Sequence, residues 1–386
     1  MSSFLDIHQV SLNKSGEELC GDQVRVVKLP EATHIILSDG LGSGVKANIL
    51  ATLTSQIIAT LLKQQVSLSE IIDTVISTLP IDKERRIAYA TFSILTIEHN
   101  NHNFRVINFD NPFPIFIHRN RLTELEITTE KISGKIITTC QGRLGMGDFI
   151  GLLSDGILHS SPGNKVDLGW DWQAVGKYVE SLFDGRVFSA HNVVNSLMTI
   201  TKQRYEYEPA DDTTFVGLLR RARNTLMVFT GPPLDTGFDY IPVERFLDFP
   251  GRKVICGGST ANMIASFLKT KVKTDLSSQT EAIPPIGSLP GIDLVTEGIF
   301  TLSGVLEALK LSQGEADRLE AGHNGVYLLA LELLNADAIE FIVGQSINPA
   351  YQNPLLPKNI SIRRYLVEKI VEQLVNFNKD VTVDYY

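Results

Sequence analysis

The spacing of apolar and polar positions divides the chain into two textures. "VRVVKL" (24–29) and "HIILS" (34–38) are short β-branched runs separated by "PEAT", which predicts an antiparallel pair. Beyond a glycine-rich loop, Ala47, Leu50, Ala51, Thr54, Ile57, Ile58 and Leu61 recur at intervals of three and four, one face of a helix over 47–62. A second helix is predicted over 68–79. Strand-like runs follow at 88–98, 103–109 and 113–118, with turns at "HNNH" and "DNP". The apolar run "FIGLLSDG" (149–156) comes next, then a helical region over 171–206 and a strand within "ADDTTFVGLLRR" (210–221). Many strands and few helices, without strict β-α alternation, predict an α+β fold with largely antiparallel sheets.

After "RRARN" (220–224) the texture changes. "TLMVFTGPP" is a strand running into a glycine-proline turn. "KVICGGSTANMIASFL" reads as strand, glycine loop and helix, and "GVYLLALELLNA" and "LVEKIVEQLVNF" are further helices. This alternation predicts a separate, smaller α/β domain. The domains are expected at 1–222 and 223–386, in keeping with a length of 386 residues.

The apolar-polar pattern also places carboxylates at the ends of strands. Asp22 sits in a Gly-Asp turn before the first strand of the pair. Asp39 closes the next strand in "SDGLGSG", Asp155 closes another in "SDG", and Asp211 and Asp212 precede a third. Taken singly, each Asp-Gly is an ordinary turn. If the four sites converge at one end of packed sheets, the carboxylates repel one another, and hard dications such as Mg2+ or Mn2+ are what would neutralise them. Two such ions can clamp a phosphoryl group and activate water. Gly40 would let its backbone carbonyl approach a metal closely.

Composition narrows the alternatives. A formal net charge of −9 with no basic run argues against nucleic acid or an anionic membrane as the main partner. The three cysteines, Cys20, Cys140 and Cys256, lie far apart, so neither a zinc ribbon nor a disulfide framework is expected. Cys20 and Cys256 read as small buried residues rather than redox groups. No apolar run is expected to reach the ~18 residues that span a bilayer, and the start lacks signal-peptide features. A soluble cytoplasmic protein is the expectation.

The ordered series of GD, SDGxGxG followed by a helix, SDG, and DDTT before a strand resembles the metal-dependent serine/threonine protein phosphatase family. The resemblance is to the branch that contains the SpoIIE sporulation phosphatase and the bacterial stress-response phosphatases, and it covers about residues 1–220. It implies two stacked antiparallel sheets flanked by helices, with two Mn2+ or Mg2+ ions at one end. It also implies roles: Asp39 bridging both metals, the Gly40 carbonyl binding one, Asp155 and Asp211 binding the second, Asp22 orienting water, and Asp212 in support. The implied reaction is hydrolysis of phosphoserine or phosphothreonine on a protein, without a protein nucleophile. The usual substrate in this branch is a phosphorylated anti-sigma-factor antagonist, and a homodimer is compatible with the resemblance. Two departures stand out. "FDNPFP" (109–114) replaces the Gly-His type of turn of many relatives, and the extra domain follows the phosphatase region instead of preceding it. That order points to regulation from the C-terminal side, through the helix of 47–62 and its neighbour.

In the second domain, Gly257, Gly258, Ser259 and Thr260 lead from strand to helix. Backbone N–H groups there would hold a small anion. The spacing is neither a Walker A motif nor GxGxxG, and a plain N-cap by Ser259 or Thr260 remains the alternative. "TGPPLD" (230–235) and "DLVTEGIFTLS" (293–303) are expected to face the same pocket, and "GQSINPAYQNPLLP" (344–357) is a long polar loop. His159 is set aside as an incidental loop histidine, and Lys46 as a solvated charge. Trp170 and Trp172 read as helix-start and core residues. Two rival functions stay open: a non-catalytic binding protein on the phosphatase fold, and a small-molecule sensor whose main site is the Gly257-Gly258 loop.

Overall fold

The computed structural model describes residues 3–78, 90–161, 170–185, 189–234, 240–279, 284–346 and 362–386. Most of the loop 344–357 lies outside the described residues. The chain divides into two compact units, Met1–Ala222 and Arg223–Tyr386.

Unit 1 is built on two antiparallel sheets. One contains β1 (Ser3–Leu12), β6 (Ile115–His118), β7 (Arg121–Leu122), β10 (Phe149–Leu153) and β11 (Thr213–Ala222), in the order β1-β11-β10-β6-β7. The other contains β2 (Asp22–Lys28), β3 (Ala32–Gly40), β4 (Ala90–Glu98), β5 (Asn103–Phe109), β8 (Ile127–Ile132) and β9 (Lys135–Arg143), in the order β2-β3-β4-β5-β9-β8. Alternation along β3 sends Ile35 and Leu37 into the space between the sheets, where they meet Ile150, Leu152, Val216 and Leu218. Ile36 points the other way, against Ile58 of α1 (Gly44–Lys63) and Ile72 of α2 (Leu68–Thr78). The outer face of the first sheet is covered by α4 (Trp172–Leu182) and α5 (Ala190–Arg204) through Val175, Val179, Val194 and Leu197. The result is a helix–sheet–sheet–helix sandwich. Between β10 and α4 lies the short α3 (Asp155–His159).

The predicted pair of 24–29 and 34–38 is present as β2 and β3, antiparallel with Asp22 opposite Asp39. One expectation is corrected. Helix α1 is 20 residues long with a mean hydropathy of 1.4, enough by length and composition to cross a bilayer. Its apolarity has another use, because Ala47, Ala51, Ile58 and Leu62 are buried in the unit 1 core.

Unit 2 has one seven-stranded sheet. Its strands are β12 (Thr225–Thr230), β13 (Arg252–Cys256), β14 (Lys273–Asp275), β15 (Ile286–Ser288), β16 (Leu294–Thr296), β17 (Ala338–Val343) and β18 (Asp380–Tyr385). The order is β14-β15-β16-β13-β12-β17-β18. The five strands from β16 to β18 run parallel, and the β14–β15 hairpin forms one edge. On one face pack α6 (Tyr240–Leu247) and α7 (Gly258–Phe267), through Val243, Phe246 and Ile264. On the other pack α8 (Ile299–Ser312), α9 (Gly325–Asn335) and α10 (Ile362–Asn376), through Val305, Leu329 and Ile370. Winding from β12 runs first to β13 and β16 on one side and then to β17 and β18 on the other. Strand order therefore reverses between β12 and β17, the kind of place where open α/β sheets leave a crevice at the strand C-termini.

Candidate metal centre

Three glycines let five segments of unit 1 approach one another. A Cβ on Gly40 would lie 2.1 Å from the Ala47 carbonyl, so the first turns of α1 seat directly on the end of β3. That contact, and not a special backbone angle, is what requires glycine at position 40. A Cβ on Gly156 would lie 2.2 Å from the Asp212 carbonyl, so α3 is pressed onto the entry to β11. A Cβ on Gly21 would lie 2.7 Å from Asp212 Oδ2, which brings the entry to β2 onto the same point. The glycines of GD and of both SDG motifs thus act as packing contacts that gather the aspartates beside them.

The aspartates gather accordingly. Asp22 and Asp39 face each other across β2 and β3. Ser154 Oγ donates to Asp22 Oδ2 at 2.7 Å and accepts from the Thr214 amide at 2.8 Å, tying β10, β11 and β2 together. Asp212 Oδ1 accepts from the Lys14 amide at 3.1 Å. Asp155, His159 and Asp211 each place a donor atom within 4.8 Å of the others. The Tyr205 hydroxyl, buried under the site, donates to the Gly156 carbonyl at 2.6 Å and steadies α3.

Electrostatics record the crowding. Burial, opposed by the Ser154 and Thr214 hydrogen bonds and aided by the charges of Asp212 and Asp155, pushes the Asp22 carboxyl up to about 7. Burial and the charges of Asp22, Asp155, Asp211 and Asp212 push Asp39 up to about 10. Asp211 is raised by burial and by Asp155. Like charges at this density are costly unless compensated. Moreover, Asp22 Oδ1 and Asp212 Oδ2 are buried with no hydrogen-bond partner among the described residues. Unpartnered buried carboxylate oxygens beside other carboxylates are what a hard dication satisfies, so the residues present fit Mg2+ or Mn2+.

All four aspartates expected to act are therefore in one cluster, with Asp212 buried among them. His159 was missed. The available signal was its spacing of four from Asp155, which places both on one side of a helical turn. Asp155 itself opens that turn, whereas the sequence pattern ended a strand there.

The C-terminal glycine loop is placed as expected, between β13 and α7. Gly257 has φ +136° and needs to be glycine. Gly258 and Ser259 are exposed, and neither Ser259 nor Thr260 caps α7 through a side-chain hydrogen bond. Thr260 is fully buried and its hydroxyl has no partner among the described residues. Gly298, from the segment after β16, lies against Gly257. Cys256 is buried, and its thiol is pushed up to about 12 by that burial.

Two stacked antiparallel sheets with an aspartate cluster at one end are the arrangement that the resemblance to the PPM-type phosphatases implies. Residues 30–221 match the family model described as Stage II sporulation protein E (SpoIIE), and unit 1 carries a SpoIIE-family domain. Among solved structures, the phosphatase domain of Bacillus subtilis SpoIIE with a fragment of its regulatory domain is 15% identical, over 56% of this chain and 63% of that one, with a TM-score of 0.48. The RsbU and RsbW domains of a Mycobacterium tuberculosis protein are 16% identical over 56% of this chain and 61% of that one, with a TM-score of 0.45. RsbX in complex with magnesium is 21% identical over 57% of this chain and 100% of that one, with a TM-score of 0.41. The chain thus spans less than two thirds of the first two structures. No curated protein matches the chain.

Proposed function

We propose that the protein hydrolyses phosphoserine or phosphothreonine on a regulatory protein, with two Mn2+ or Mg2+ ions held by Asp39, the Gly40 carbonyl, Asp155 and Asp211. The observation that carries this reading is the aspartate cluster with its unpartnered buried oxygens. When bound, such ions supply water activation and charge stabilisation at a phosphoryl group. The chain's own residues do the rest. Asp22, fixed through Oδ2 by Ser154, offers Oδ1 to orient the attacking water and take its proton. Gly156 and Tyr205 hold the turn that presents Asp155. A phosphorylated anti-sigma-factor antagonist is the substrate implied by the family resemblance, and a cytoplasmic location goes with it.

The test is turnover of p-nitrophenyl phosphate and of a phosphoserine peptide, with and without Mn2+, for wild type and Asp39→Asn. Manganese-dependent turnover that Asp39→Asn abolishes supports the proposal. Absence of both turnover and metal binding in wild type would leave a binding module on the phosphatase fold.

For unit 2 we propose a regulatory site for a small phosphate-bearing ligand at the start of α7. Its support is the exposed Gly258 with the unpartnered hydroxyl of Thr260 beside Gly257. Titration of the full chain with inorganic phosphate and with ATP should show binding that Gly258→Asp removes. No binding of either would reduce the loop to a strand-to-helix turn.

A further inference from the structure

The expected ligands of a PPM-type site are all oxygens, but the site here also contains an imidazole. His159 lies one helical turn after Asp155 on α3. Its Nδ1 is 3.8 Å from Asp155 Oδ2, and Asp155, His159 and Asp211 each have a donor atom within 4.8 Å of the other two. An ion held at ~2.1 Å from each donor needs donor pairs ~3–4 Å apart, so this trio is within a small side-chain rotation of a ligand set. The His159 side chain is 57% exposed and free to make that rotation. In the same cluster, Asp22 is 2% exposed and its Oδ1 has no hydrogen-bond partner among the described residues.

We infer that His159 is a third protein ligand at the Asp155–Asp211 pair, so that this ion has a nitrogen donor and the site favours Mn2+ over Mg2+. The inference rests on the metal-dependent reading of the cluster. Its physical basis is donor type. Mg2+ prefers oxygen and holds its waters tightly, whereas first-row transition ions accept imidazole readily. A plain ion pair between His159 and Asp155 is the competing account. At this exposure it would do little for stability and nothing for metal choice.

The experiment is pulsed EPR on the full chain loaded with Mn2+, reading the 14N modulation that a directly bound imidazole gives and that carboxylates and water do not. It is accompanied by displacement of the Mn2+ with Mg2+. The variants are His159→Ala and His159→Asp, the latter returning an oxygen donor, with intrinsic fluorescence confirming that each is folded. We expect 14N coupling in wild type, its loss in both variants, and an at least ~10-fold fall in the Mg2+ concentration needed to displace Mn2+ from His159→Asp. Bound Mn2+ without 14N coupling in wild type, or coupling that survives in the variants, would overturn the role of His159 while leaving the metal centre standing. Unchanged displacement by Mg2+ would overturn the selectivity. Failure of wild type to bind Mn2+ would instead remove the metal-dependent reading itself.

Discussion

A cluster built to hold cations should weaken the fold that carries it when the cations are removed, and Asp39→Asn measures by how much. Asp39 has its carboxyl at about 10 in the folded protein against an ordinary 3.8. An acid raised in this way binds more protons folded than unfolded between those two values. Stability is therefore lost progressively as pH rises through that interval. At pH 8 the difference for Asp39 alone amounts to about 6 kcal/mol. Part of that shift is repulsion by neighbouring carboxylates that are themselves titrating, and Asp39 is only partly buried. The expected gain on removing its charge is therefore on the order of 2–3 kcal/mol. Both tryptophans of the chain, Trp170 and Trp172, lie in unit 1, so intrinsic fluorescence reports the unfolding of that unit. In EDTA at pH 8, Asp39→Asn should melt roughly 5–10 °C above wild type. The gap should shrink by about 1 kcal/mol at pH 6, where keeping the folded carboxyl protonated costs less. With Mn2+ at a hundred times its dissociation constant, wild type should gain ~2.7 kcal/mol and the variant little. An Asp39→Asn protein no more stable than wild type in EDTA, or a gap that does not widen with pH, would refute the view that the carboxylates are uncompensated without metal.

Three further variants probe the supports of the site. Gly156→Ala puts a Cβ against the Asp212 carbonyl and Thr213 Oγ1. It should cost ~2–3 kcal/mol in urea melts and abolish Mn2+ stabilisation, because α3 must lift from β11. Tyr205→Phe removes the donor to the Gly156 carbonyl. A loss of ~1–2 kcal/mol is expected, with a fall in kcat larger than any change in KM, read on a phosphopeptide. In unit 2, Thr260→Val replaces a buried unpartnered hydroxyl with a methyl of similar size. Ligand-free stability should hold or rise, by up to ~1 kcal/mol in a thermal melt, while any phosphate-induced shift is lost.

What could be read from the sequence, and what could not, follows the range of the interactions. Hairpin β2–β3 and helix α1 are local: their periods and breakers lie within about forty residues of each other, and the pattern of 24–62 was enough to place them. The pairing of β1 with β11 joins Ser3 to Ala222, and no local period carries that information. The strand order of unit 2 was hidden for the same reason, since β12 takes its neighbours from residues 252–256 and 338–343. Asp22, Asp39 and Asp155 were legible because each sits beside a glycine, and Asp211 because it opens an Asp-Asp pair before a strand. The structure gives that pairing a cause, because the glycine removes the Cβ that would hold two segments apart and the neighbouring carboxylate rides in with it. His159 has no such companion. It enters the cluster only because the residues after Asp155 coil into α3, and a five-residue helix is too short to leave a hydrophobic period in the sequence. The residues that set how strongly a cation is needed could be found in the pattern. The residue inferred to set which cation is preferred depends on one turn of helix that only the packing of α3 on β11 defines.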